Sequence, residues 1–192
     1  DLEKIKINQI QPALICQSKG KIQHVLEIWR TSQHNWVISS YPGEGFQVAN
    51  LLDKFHIREN FEFQLLTPST LRLDLRGPRS STVIKILGLD MSSDTSKTSG
   101  IDKKILCTKH QKFGVEHYSL LIPGNDVERI ANQLLDDEYT SWVGWDAWNE
   151  MDLIERIPVF GRDFTTENFA QESALKDYIS FNKGCYIGQE PN

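Results

Sequence analysis

The chain has 192 residues, enough for one sizeable hydrophobic core or two small ones, and 39% apolar with 24% charged residues is ordinary globular usage. A formal net charge of −5 argues against a surface that tracks nucleic-acid phosphates, and no apolar run approaches the roughly 20 residues needed to span a bilayer. The 3 cysteines, Cys16, Cys107 and Cys185, are scattered without a CxxC pair, so a reducing compartment, no disulfide framework and no resident metal are expected.

The opening DLEKIKINQI lacks the cationic-then-apolar layout of a secretory signal. Residues 21–30 and 36–40 are rich in β-branched and aromatic side chains around the polar link TSQHN, which predicts a hairpin. After PGEG, the spacing of Val48, Leu51, Leu52 and Phe55 predicts a helix. NFEFQLL at 60–66 and LRLDLR at 71–76 alternate apolar with polar residues, which predicts two strands each buried on one face. Beyond Gly77-Pro78, the positions Val83, Ile86 and Leu87 predict a helix ended by Gly88.

Residues 90–104 are polar and aperiodic and predict a mobile loop. Strands are then expected near 105–108 and 116–122. A helix follows from Asn125, with Glu128 three residues on as in a capping box and Val127, Ile130, Ala131, Leu134 and Leu135 as its core stripe. Helices separated by strand pairs imply an α+β fold with antiparallel or mixed sheets. The expected organisation is a first α+β module over 1–89, the loop 90–104, and a second module over 105–192. Neither GxGxxG nor GxxxxGK[ST] is present, so nucleotide-phosphate loops are not expected.

The chemistry-bearing segment is QESALKDYISFNKGCYIGQE at 171–190. Cys185 has Lys183 and glycines close by, and a nearby ammonium together with accessible backbone N–H groups favours a thiolate. Gln189 and Glu190 offer amide and carboxylate groups that suit the edge of a heterocycle. The competing reading is a small buried cysteine in a tight turn, the common fate of free Cys. The polar, glycine-rich surroundings favour the functional one.

The string Lys183-Gly184-Cys185-Tyr186-Ile187-Gly188-Gln189-Glu190 resembles the K-G-C-[YF]-x-G-Q-E signature of YgfZ-type proteins, themselves similar to the glycine-cleavage T-protein. Ile157-Pro158-Val159-Phe160-Gly161 with Asp163-Phe164 is similar to the family's I-P-x-F-G-x-D-F, and Gln171-Glu172 with Ala174-Leu175 to its P-Q-E-A-x-L. Weaker echoes are Ser18-Lys19-Gly20-Lys21 and Leu75-Arg76-Gly77-Pro78.

The resemblance implies the T-protein (aminomethyltransferase) folate-binding fold, with ferredoxin-like α+β modules and a C-terminal β-barrel not covered by this sequence. It further implies tetrahydrofolate or a derivative as cofactor, and a role in assembling or repairing iron–sulfur enzymes, including those that modify tRNA. Partners would be iron–sulfur clients or cluster-assembly proteins, with no direct nucleic-acid or membrane contact, in the cytoplasm or, in a eukaryote, the mitochondrial matrix. Cys185 would be the reactive residue. Lys183, Gly184, Tyr186, Gln189, Glu190, Glu172 and Trp29 would hold the folate, Trp29 because its strand borders the ligand in the family fold.

Two departures bear on catalysis. Gln23 and His24 stand where the T-protein has its aspartate, and Ile154 stands where it has a pterin-holding Glu, with Glu155 adjacent. Aminomethyl transfer thereby loses its acid–base group and is not expected. It remains the alternative function, with a carboxylate supplied from elsewhere. A cysteine-dependent hydrolase or thiol-redox enzyme is a third reading. His24, His34, His56, His110 and His117 show no HxxxH spacing and are read as solvated or hydrogen-bonded. Trp142, Trp145 and Trp148 could stack on a pteridine, but are read as packing residues.

Overall fold

The computed structural model describes residues 4–7, 10–57, 60–89, 105–110, 115–175 and 178–179. Among the described residues the fold is α+β with two antiparallel sheets of three strands each, as the alternation of strand pairs and helices predicts. Among the described residues no helix is long and apolar enough to cross a membrane. Two compact units form, the first from Asp1–Lys6, Ile10–Leu65 and Pro158–Asn192, the second from Ile7–Gln9 and Leu66–Ile157. This division differs from the sequential split at 90–104 because residues 158–175 return to the first sheet. The expected mobile loop 90–104 lies outside the described residues.

In the first unit β1 (Ile10–Cys16), β2 (Ile22–Arg30) and β3 (Trp36–Ser40) pair in the order β1-β2-β3. The β2–β3 hairpin is the predicted one. Its link is fastened by the Ser32 hydroxyl, which accepts from the N–H groups of His34 (3.3 Å) and Asn35 (3.0 Å). Strand β1 carries Pro12, which has no N–H to give a ladder and is therefore confined to an edge strand. Helix α1 (Gly45–Lys54) follows, turning its Val48 inward.

The core of this unit joins Ile22 and Val25 to Phe164, Ala170 and Leu175. The returning segment is bound to the first residue of β2 by the Ile22 N–H donating to the Asn168 carbonyl at 2.9 Å. The stretch Val159 to Phe164 closes a turn in which Gly161, at φ +85, donates to the Phe164 carbonyl. The Asp163 carboxylate accepts from the Val159 N–H, and the Tyr41 hydroxyl accepts from the Phe160 N–H. The expected strand at 60–66 does not form. With no partner strand to join, Phe61 stacks on His56 (4.2 Å between centroids) and meets Phe63 edge-on, and the alternation serves this small aromatic group.

In the second unit β4 (Thr70–Arg76), β5 (Leu106–His110) and β6 (His117–Pro123) pair in the order β4-β6-β5. Leu73, Cys107, Tyr118, Leu120 and Ile122 on the sheet pack against α2 (Ser80–Ile86) and α3 (Val127–Leu135) through Val83, Ile84, Leu87, Ile130 and Leu134. Val83 and Ile84 are the buried apolar residues of α2, and Ile86 of the predicted stripe is exposed, as is Leu135 on α3. Gly88 takes the expected left-handed conformation, φ +71, after α2. The capping box expected at Asn125 is replaced by a 3-10 turn, Gly124–Asp126, with no side-chain cap on α3. Helix α4 (Trp145–Ile154) completes the unit.

Candidate functional site

The register of the second sheet places directly opposed residues on one face. Asp74 faces Ser119, and Ser119 faces Thr108. Arg76 faces His117, and His117 faces His110. The face turned away from the α2–α3 core therefore carries arginines, an aspartate, two histidines and two hydroxyls.

These groups form one network. The fully buried Ser119 hydroxyl donates to Asp74 Oδ1 and receives the Arg72 Nη2–H at 3.0 Å. His110 Nε2 lies 2.7 Å from the same oxygen. A hydroxyl has one proton and two lone pairs, so with its proton committed to Asp74 it accepts from His110, which fixes the Nε2–H tautomer. Arg72 Nε reaches both Asp74 oxygens at 3.2 Å. The two imidazoles stack at 4.3 Å, and His117 Nε2 stands 3.4 Å from Asp74 Oδ1. That nitrogen and the Thr108 hydroxyl are sealed from solvent without a hydrogen-bond partner among the described residues.

Burial pushes the Asp74 carboxyl up, but the approach of His117, the Arg72 charge and the Ser119 hydroxyl outweigh it and hold Asp74 well below the usual carboxylate range. The native protein thus binds fewer protons than the unfolded chain near pH 4. Stability from this group is complete above the unfolded value of about 4 and is lost as pH falls through the depressed native one. Asp74→Asn is expected to cost about 2 kcal/mol at neutral pH. Urea midpoints measured from neutral to strongly acid pH should fall less steeply for the variant. Parallel curves would contradict the assignment.

Beside this network Arg76 is buried, 2% of its side chain exposed. Its guanidinium donates to Asp152 Oδ1 at 2.7 Å and Glu155 Oε2 at 2.6 Å, and lies 5.4 Å from the Trp148 ring centroid. Glu155, adjacent to the position of the expected pterin-holding Glu, is thus committed to Arg76, while Ile154 is exposed. Of the three tryptophans read as packing residues, Trp148 packs, touching Arg76 and His117, whereas Trp142 and Trp145 are 60% and 70% exposed.

In the first unit, His24 is buried on β2 with Nδ1 3.2 Å from Glu44 Oε2. A carboxylate therefore stands beside His24, supplied by the residue before α1. Trp29, the expected pocket residue, is buried, and its indole N–H has no partner among the described residues. Glu172 accepts from the Phe169 N–H at 2.9 Å and braces a 3-10 turn, Ala170–Glu172. Lys183, Gly184, Cys185, Tyr186, Gln189 and Glu190 lie outside the described residues. Of the other thiols, Cys107 is buried, which pushes it up to about 12 and leaves it unreactive.

The polar face of the second sheet went unread in the sequence. LRLDLR reads as a strand with a solvated charged face. His110 and His117 meet only across a ladder, a pairing that no spacing in the sequence announces.

No family model matches the sequence. The fold is that of the aminomethyltransferases: the glycine cleavage system aminomethyltransferase T from Bartonella henselae superposes with a TM-score of 0.74 at 21% identity, over 86% of this chain and 46% of that one. Similar sequences include an aminomethyltransferase of Thermoanaerobacter sp. (strain X514), 20% identical over 202 residues, which are 99% of this chain and 54% of the relative. The tRNA-modifying protein YgfZ of Vibrio vulnificus (strain YJ016) is 20% identical over 200 residues, 99% of this chain and 55% of its own. The chain thus resembles both YgfZ and aminomethyltransferase, the two names its terminal motif points to, and spans about half the length of the curated relatives it matches.

Proposed function

We propose that this chain is part of a tetrahydrofolate-binding accessory protein that assembles or repairs iron–sulfur enzymes, among them enzymes that modify tRNA. The observation that carries this is the run KGCYIGQE at 183–190 on a chain of aminomethyltransferase fold. The similarity to proteins named for tRNA modification supports it. Lys183, Gly184, Tyr186, Gln189 and Glu190, with Glu172 and Trp29, would hold the folate. The orphaned indole N–H of Trp29 fits such a ligand, since a pteridine carbonyl or ring nitrogen is an acceptor for a buried donor. Partners would be iron–sulfur clients or cluster-assembly proteins, in the cytoplasm or, in a eukaryote, the mitochondrial matrix.

A second reading, folate-dependent aminomethyl transfer, is favoured by the His24–Glu44 pair, which offers a proton-handling group where the T-protein carboxylate is missing. Calorimetric titration with a reduced folate, paired with an aminomethyl-transfer assay, separates the two. Saturable binding without turnover is expected, weakened by Lys183→Ala and Gln189→Ala. Turnover that disappears in Glu44→Gln would establish the transferase, and absence of folate binding would remove both.

A further inference from the structure

We propose that Asp74, His110 and His117 form a binding site for a late first-row divalent transition ion, with Zn2+ as the reference ion. Each residue offers one ligand atom, and the three atoms lie within 4.8 Å of one another. Two imidazole nitrogens and one carboxylate oxygen are the donor set that zinc and its neighbours prefer, and they do not suit calcium or magnesium. Bonds of about 2.0–2.1 Å hold two tetrahedral ligands roughly 3.3 Å apart, so modest rotation of the two rings closes the set. The three residues sit on three paired strands, β4, β5 and β6, whose ladders fix their spacing.

Further observations point to a ligand at this place. His117 Nε2 is buried 3.4 Å from Asp74 Oδ1 and makes no hydrogen bond among the described residues, nor does the Thr108 hydroxyl opposite Ser119 in the same network. Such an orphan in a polar pocket calls for an ion or a water. Asp74 is already held from the side by Arg72, the type of outer hydrogen bond that orients a ligating carboxylate. About a quarter of the Asp74 side chain reaches solvent (27%), so an ion has access.

Arg72 also works against the ion, because its positive charge lies beside the carboxylate. With 31% of its side chain exposed, solvent screens that repulsion. Arg72→Gln, which keeps a donor for Asp74 and removes the charge, is therefore expected to tighten metal binding, an effect that a purely structural Arg72 would not produce. To ligate through Nε2, the neutral His110 ring moves its proton to Nδ1 and gives up its hydrogen bond to Ser119, with no net release of a proton.

The test uses the full chain stripped with a chelator and titrated with Co2+, followed by visible absorption, with Zn2+ as competitor. One equivalent is expected, with d–d bands of a nitrogen–oxygen site and no thiolate-to-cobalt charge transfer. His110→Gln and His117→Gln are each expected to weaken binding by at least about 10-fold, the loss that even an outer-shell partner brings. Should those variants fail to fold, Zn2+ titration of the wild-type chain followed by imidazole NMR resonances decides: His110 and His117 shift together while His24, His34 and His56 do not. No binding, a thiolate charge-transfer band, unchanged affinity in both folded variants, or shifts confined to the other histidines would each overturn the site, and the orphan would then be satisfied by water alone.

Discussion

Arg76→Ala is expected to destabilise the protein by about 3–5 kcal/mol, because it strands two carboxylates that were built around one cation. Asp152 is buried and Glu155 nearly so, at 2.7 and 2.6 Å from the guanidinium. Forming the pairs gained little over an apolar packing, since three charged groups had to leave water. Removing the central one is different: both anions stay where solvent cannot compensate them. The Trp148 face loses its cation at the same time. Arg76→Lys is not expected to rescue, because one ammonium cannot present a planar fork to two acceptors and stack on an indole. Arg162→Ala, which removes a more exposed pair with Asp163, is expected to cost less than about 1 kcal/mol. Urea unfolding of the three variants measures the difference, and an Arg76→Ala loss no larger than that of Arg162→Ala would contradict this account of the second unit.

The largest functional effect is expected at Cys185. Cys185→Ala should abolish support of iron–sulfur client enzymes in cells while leaving the melting temperature within a few degrees, about 1 kcal/mol or less for a chain of this size. The expectation rests on the chemistry of the run KGCYIGQE. Lysine and glycines around a sulfur favour the thiolate, the form that attacks, ligates or exchanges. Cys107 shows the opposite case within the same chain, a thiol pushed up to about 12 by burial and thereby inert. Cys107→Ala is accordingly expected to reduce stability through packing and to leave client support intact once the protein is folded. Full client support by Cys185→Ala would refute the role.

Much of the fold is legible because most strands declare themselves by alternation and the helices by spacing. Residues 71–76 and 117–123 alternate across a buried face, and Val48, Ile130 and Leu134 fall on helical stripes. What escaped is non-local. Strand β1 is not among the expected elements; it contains Pro12, which an edge strand tolerates. Residues 61–65 alternate and form no strand, because a strand needs a partner and alternation does not supply one. The network of Asp74, His110, His117 and Ser119 depends on register across three strands, and a shift of one residue would send every member to the opposite face. The His24–Glu44 pair likewise joins residues twenty apart that no spacing rule connects. The terminal motif is the reverse case, read from eight consecutive letters and lying outside the described residues.

Thiol labelling in the presence and absence of a reduced folate probes the central proposal most directly. With a maleimide reagent and mass-spectrometric readout, Cys185 is expected to react rapidly, Cys107 slowly, and saturating tetrahydrofolate to slow Cys185 alone by at least about 10-fold, the shift that 1.4 kcal/mol of protection gives. A Cys185 as inert as Cys107, or one whose labelling ignores folate at every concentration, would contradict a sulfur poised beside a pterin.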